Sequence, residues 1–334
     1  MQQMIRVGFI GWLVVAGSSW LPAAEPANVG IQVTKSHIDF RVGNDLVGRY
    51  HIAPTVAKPY IWPLHGPGGV PLTRAWPMSK DDPNASTDHV HQKSLWFCHG
   101  DVIPEGLELK DKIKGVTGVD FWSESAGHGR IVCTEVGEPK LDSNHGQVTT
   151  RNEWRAADGT KILDETRTIH LYDFGDTRLL VFDIDLHASA YPITFGDTKE
   201  GSFAVRVNDV LRENKGVGQL RNADGKIGEK ACWGQLSAWC DYSGVIDGQK
   251  VGIAIFDDPA NPPAGWHSRG YGLMAANPFG RHRSGFPARQ GQMELLRLDK
   301  GEHLKLRYGV LLHPGDAQAG KVADYYQRFL KLKG

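Results

Sequence analysis

The chain reads mostly in steps of two. In RLLVFDIDLHA, Leu180, Phe182, Ile184 and Leu186 alternate with Val181, Asp183, Asp185 and His187. In HLKLRYGVLLH, Leu304, Leu306, Tyr308, Val310 and Leu312 alternate with His303, Lys305, Arg307, Gly309 and Leu311. Side chains on a strand point to opposite faces in turn, so this pattern predicts half-buried strands with the first set inward. Turn signals separate such runs, among them Gly43-Asn44-Asp45, Asp158-Gly159, Asp176, Asp224-Gly225 and Asp247-Gly248. ITFGDTKEGSFAVRV and KVGIAIFDD add further strands. One helix is predicted near 316–332: after Pro314-Gly315, Asp316 can cap it, and Val322, Tyr325, Tyr326, Phe329 and Leu330 share a face. The expected fold is all-β, a large antiparallel β-sandwich or barrel with one C-terminal helix.

Residues 1–24 read as a signal peptide. Arg6 is basic, Val7 to Gly17 is apolar, and Pro22-Ala23-Ala24 offers a small-residue exit. The apolar run falls short of the ~20 residues a membrane span needs. The expectation is an exported protein, periplasmic or secreted, not inserted in a membrane after cleavage. Residues 27–334 show no repeat, low-complexity linker or composition break and read as one domain. Of the 334 residues, 38 are Lys or Arg and 38 are Asp or Glu, so no basic excess points to nucleic acid. The four cysteines, Cys98, Cys133, Cys232 and Cys240, allow three full pairings or buried free thiols, and their spacing contains no CxxC pair.

Five segments are too polar and aromatic for plain core. PYIWPLHGPGGVPLTRAWP places His65 before a Gly/Pro turn and Arg74 after a short strand, which suits either a ligand or a tight turn. DHVHQKSLWFCHGD carries His89, His91 and His99. On a strand His89 and His91 would share a face, the arrangement of two imidazole metal ligands, but no carboxylate follows nearby. Acid–base or sugar-binding histidines fit the spacing as well, and structural histidines remain open. FGDTKEGSFAVRV holds Glu200 beside Lys199, with Arg206 at its end; Glu200 is a general-base candidate or a solvated turn acid. CWGQLSAWCDYSG offers Trp239 and Asp241 as a sugar platform, or as core. DDPANPPAGWHSRGYGLMAANPFG is a proline-stiffened loop presenting His267, Arg269 and Tyr271.

Together, LHGPGG, DHVHQKSLWFCHGDV, GVDFWSE, DTKEGSFAVRV, WGQLSAWCDYSG and WHSRGYGLMAANPFG resemble the exported PmoA-like family, labelled "methane oxygenase PmoA". The resemblance covers nearly the whole chain after residue 24. A true methane monooxygenase subunit of that name has several membrane spans, and no later segment here is apolar enough for one. The fold the resemblance implies is similar to the galactose-mutarotase-like supersandwich, which serves aldose epimerases, sugar lyases and carbohydrate-binding domains. It implies a histidine acid and a glutamate base, matched in residue type by His89 or His91 and Glu200. The expected ligand is a carbohydrate or other small polar molecule, with no cofactor. The rival expectations are a sugar-binding module without catalysis and a metal-dependent oxidoreductase holding one ion at His89 and His91.

Overall fold

In the computed structural model, which describes residues 29–83, 85–111 and 113–332, two large antiparallel sheets face one another. The segment expected to be a signal peptide lies outside the described residues. The first sheet orders its strands Val29–Val33, His37–Val42, Asp45–His51, Tyr60–Leu64, Leu95–His99, Gly201–Arg206, Leu273–Asn277 and Gly265–Trp266. The second runs Gln219–Asn222, Trp239–Ile246, Gln249–Asp257, His303–Pro314, Arg178–His187, Lys161–Asp173, His145–Arg155 and Arg130–Val136. A third, small sheet joins Leu296–Leu298, Ile193–Phe195 and Val102–Pro104. The expected sandwich is the observed fold.

Period-two alternation explains the interior. Phe97 of the first sheet meets Trp154 and Tyr308 of the second at 5.9 and 6.3 Å between ring centres, and Phe203 meets Phe182 at 5.0 Å. Leu180, Phe182, Ile184 and Leu186 are buried there, as are Leu306, Val310 and Leu312, whereas Leu304 is only half-buried. The paired neighbours of Phe97 and Phe203 must then face outward. Trp96, Cys98, Ser202 and Ala204 do so, and Trp122 packs on Trp96 at 5.1 Å. The outer face of the first sheet is therefore covered by loops, and these loops build the cavity described below.

Two sequence expectations change. Val181 and Leu311, which alternation puts on the polar side, are buried, because a second apolar cluster forms there with Leu179, Phe256, Val322 and Phe329. The helix is shorter than expected, Val322–Phe329. Asp316 caps a preceding turn instead, accepting from the amides of Gln318 and Ala319, and Lys321 with φ 52° interrupts the helical path. A four-residue helix, Glu229–Cys232, has no periodic signal to foretell it. All four thiols are free. Among the described residues, no helix is long and apolar enough to cross a membrane.

Candidate functional site

Loops from several parts of the chain converge over the outer face of the first sheet and enclose a cavity of about 450 Å³. Its wall includes His89, His91, Glu200, His267, Arg269 and Tyr271, all singled out from sequence. Gln92, Asp120, Trp122, Ser123, Lys199 and Glu229 complete it.

His89 and His91 do not lie on a strand. They occupy the turn that precedes Leu95–His99, with φ 47° at His89, so parity does not align them. What brings the rings to 5.8 Å is the folding of this turn around two buried arginines. Arg74 Nη1 donates to the Asp88 carboxylate at 2.7 Å and to the Asp88 carbonyl at 2.9 Å, and Nη2 donates to the carbonyls of His89 and Gln92 at 3.1 and 3.2 Å. Arg206 Nη1 donates to Gln92 Oε1 at 2.6 Å and Nη2 to Asp88 Oδ1 at 2.7 Å. Both arginines are at most 1 % exposed. They therefore hold the wall from beneath rather than meeting a ligand. Arg206 also lies 4.5 Å from the centre of the Tyr271 ring, whose plane stacks on His89 at 5.0 Å.

The opposite wall is equally tied down. His267 donates from Nδ1 to the Lys199 carbonyl at 2.8 Å, since a carbonyl can only accept. Its Nε2 then accepts from Arg269 Nε at 3.3 Å. Burial, reinforced by the Arg269 charge, lowers the His267 pKa to about 3 and keeps the ring neutral. Arg269 lies 3.8 Å from the centre of the Trp233 ring and pairs with Glu229 at 3.1 Å. Tyr242, on the second sheet, donates to the Arg269 carbonyl at 2.6 Å.

Two groups on the wall have chemistry to spare. Burial raises the Glu200 pKa above the ordinary carboxylate value, with Lys199 opposing it, and among the described residues its carboxylate has no hydrogen-bond partner. Burial lowers His91 to about 3, with Lys58 adding to the effect. Asp120, by contrast, spends its carboxylate on the amides of Trp122 and Ser123.

The remaining candidates lie elsewhere. His99 is buried among Phe195 and Phe279 and donates from Nε2 to the Gly196 carbonyl at 2.9 Å. His65 hydrogen-bonds the Leu46 carbonyl at 3.0 Å beside the Pro67–Gly69 turn, the turn reading rather than the ligand one. Trp239 belongs to the second apolar cluster. Asp241 is buried and paired with His313 at 2.8 Å. Neither offers a sugar platform. Among the described residues no group of three or more His, Cys, Asp or Glu side chains is placed to hold a metal ion. Sequence reasoning did not assign Gln92, Asp120, Trp122, Ser123 or Glu229. Asp120, Trp122 and Ser123 lie in GVDFWSE and Gln92 in DHVHQKSLWFCHGD, whereas no quoted segment contains Glu229.

Residues 37–327 match the model of a family of unknown function (DUF6807). The chain belongs to that family. The match carries no methane-oxygenase assignment, and no curated protein matches the sequence. Similar solved structures include an alpha-galactosidase from Lactobacillus brevis, at 9% identity and TM-score 0.45, over 90% of this chain and 42% of that one. A galactose 1-epimerase from Lactobacillus acidophilus is 11% identical with TM-score 0.38, over 86% of this chain and 98% of that one. A polysaccharide lyase is 10% identical with TM-score 0.35, over 92% and 35%. The chain thus spans less than half of the galactosidase and of the lyase. All three neighbours are carbohydrate-active enzymes by name, but likeness this distant carries no functional argument for this chain.

Proposed function

We propose that the cavity binds a small hydroxyl-rich molecule, a carbohydrate, and moves a proton on it in an epimerase-, lyase- or hydrolase-like step. The observation that carries the proposal is Glu200: an unpartnered carboxylate on the wall of a polar cavity, its proton affinity raised by burial, across from two imidazoles. In this reading Glu200 takes the proton. His89 is the donor, because His91, held neutral down to about pH 3, is a poor acid and serves as a hydrogen-bonding wall. Arg269, the arginine on the wall, is already matched by Glu229, which suits a neutral polyol. The ring of Tyr271 is covered by His89 and Arg206, and that of Trp122 is buried beside Trp96 and His267, so recognition rests on hydrogen bonds rather than on stacking. Export of the protein, expected from residues 1–24, would place it where free and polymeric sugars are met.

The test is a library of mono- and oligosaccharides screened by ligand-observed NMR, with bound sugars then followed for chemical change. Glu200→Gln is expected to bind as the wild type does and to lose turnover by about 10²–10⁴-fold, the usual worth of a positioned acid or base. A wild type that binds sugars but never alters them would make this a binding module. Failure to bind any sugar would overturn the reading altogether.

A further inference from the structure

A second cavity, of about 610 Å³, lies apart from the first and is lined by Pro263, Arg281, Arg289, Gln292, Glu294 and Leu296 among others. Arg289 is only 6 % exposed. Its Nη1 donates to Gln292 Oε1 at 2.8 Å, but Nε and Nη2 are both buried and without a partner. These two nitrogens form one edge of the guanidinium, the edge that meets both oxygens of a carboxylate, sulfate or phosphate at once.

The same molecule shows what that edge does when filled. Arg49 turns Nε and Nη2 to the two oxygens of Asp39 at 2.6 and 2.9 Å, and Arg297 does the same to Glu105 at 2.8 Å for each bond. Arg289 has no such carboxylate. Asp257 is close enough to be felt electrostatically, yet its Oδ1 accepts from Asn261 at 2.7 Å and no ion pair joins it to Arg289 among the described residues. A second cation, Arg281, is near enough to repel Arg289. Arg281 spends Nη1 on the carbonyls of Pro278 and Gly280 and Nε on that of Glu294, so it does not compensate the charge with an acid of its own on these nitrogens. Three arginines line this cavity: Arg297 is met by Glu105 and Asp299, and Arg281 has the Asp197 and Glu294 charges near it, whereas Arg289 keeps an empty and desolvated bidentate edge that is costly unless an anion completes it.

We propose that this cavity is an anion site, in which the free edge of Arg289 receives two oxygens of a sulfate, phosphate or carboxylate group with Arg281 as the second cation. The assignment is independent of the chemistry proposed for Glu200. The rival occupant is internal: Glu294, on the same wall, could itself turn onto the edge.

Sodium sulfate, sodium phosphate and sodium acetate, each against sodium chloride at matched ionic strength, are the probes, read by isothermal titration and by thermal melts of the full chain. The expected result is saturable one-to-one binding of at least one oxyanion and a higher melting temperature than in chloride; which anion binds separates a tetrahedral from a planar ligand. Arg289→Gln should weaken that binding at least tenfold. If that variant does not fold, Arg289→Lys keeps the charge without the two-nitrogen edge and should weaken it likewise. Glu200→Gln should bind the anion as the wild type does, and Glu294→Gln should bind it equally or more tightly. Absence of saturable binding in the wild type, or unchanged binding in the Arg289 variant, overturns the proposal. So does a Glu294→Gln variant that loses as much stability as Arg289→Gln, since the two would then be an internal ion pair.

Discussion

Glu200 and His91 feel the same burial and answer it in opposite directions: the acid holds its proton more tightly and the base more weakly, so both favour the neutral form. The two consequences for catalysis differ. If Glu200 must be ionised to accept a proton, turnover should rise with pH through a pKa above the usual carboxylate range, while His91, titrating near 3, contributes nothing to that limb. A kcat/KM profile on the wild type and on His91→Gln checks this; an acid limb that moves with the His91 substitution would transfer the role. Asp241 and His313 show the contrasting fate of a polar pair. Both are fully buried, and Asp241 is the main influence raising the His313 pKa against its burial. Since the folded pKa is raised, the pair's stabilisation is complete at low pH and fades as pH rises through the folded value. His313→Ala leaves a buried carboxylate unpaired and should cost about 3–5 kcal/mol in urea unfolding at pH 6, with the first cavity unaffected. At the residue scale, sequence distinguishes these cases poorly. Asp241 beside Trp239 and Glu200 beside Lys199 look alike as polar residues near aromatics or strands, and only His313, two strands away in the same sheet, reveals which carboxylate is already paired.

At the scale of elements, the wall carrying His89 and His91 depends on one exposed-edge carboxylate shared by two buried cations. Asp88 is 41% exposed at its side chain, and it accepts from both Arg74 and Arg206. Replacing it by alanine strips both guanidinium groups of their common partner. Solvent reaching Asp88 moderates the loss, so Asp88→Ala should cost about 1–3 kcal/mol. The more telling effect is local: the turn around 86–93 should become the first site of limited proteolysis, and ligand binding at the first cavity should fall with it. Equal proteolysis of variant and wild type in that turn would show that the arginines do not hold it. Strands were legible here because alternation survives wherever one face is apolar, as in Leu180 to Leu186. The alternation misassigned Val181 and Leu311 because the C-terminal helix covers the other face as well. The turn holding His89 was misread as strand for a related reason: HVHQKSLWF alternates in sequence, whereas its geometry is dictated by Arg74, fourteen residues before Asp88. Periodicity reports neighbours along the chain, and this turn is shaped by a partner across it.

At the scale of the whole molecule, the sandwich buries several charged side chains, among them Glu165, Arg167, Asp241 and Asp257, and its stability should depend on pH through groups far from either cavity. Between the sheets, Glu165 accepts from Arg167 at 2.6 Å, Trp154 at 2.7 Å and Asn152 at 3.0 Å, an enclosed pair whose Arg167 also donates from Nη1 to Tyr50 and keeps Nη2 without a partner. Asp257 is different. It ends the strand Gln249–Asp257 under the second apolar cluster, and burial raises its pKa to about 7 although Asn261 and the Ala264 amide favour the ionised form. The folded pKa exceeds the unfolded one, so the folded state gains from the protonated acid below about pH 4. That gain is lost progressively as pH rises from about 4 to about 7, where the native carboxyl must at last ionise in place. A shift from the ordinary 3.8 to about 7, at 1.36 kcal/mol per unit, sets a ceiling near 4 kcal/mol, and about 2–4 kcal/mol is the expected size. Asp257→Asn keeps the shape and an oxygen that can accept from Asn261 but never carries the charge. Its stability relative to the wild type should therefore be greater at pH 8 than at pH 4.5 by about that amount, measured by urea unfolding at both values. An equal difference at the two pH values would mean that Asp257 ionises without cost, and that the charge this fold carries beneath its second apolar cluster is solvated after all.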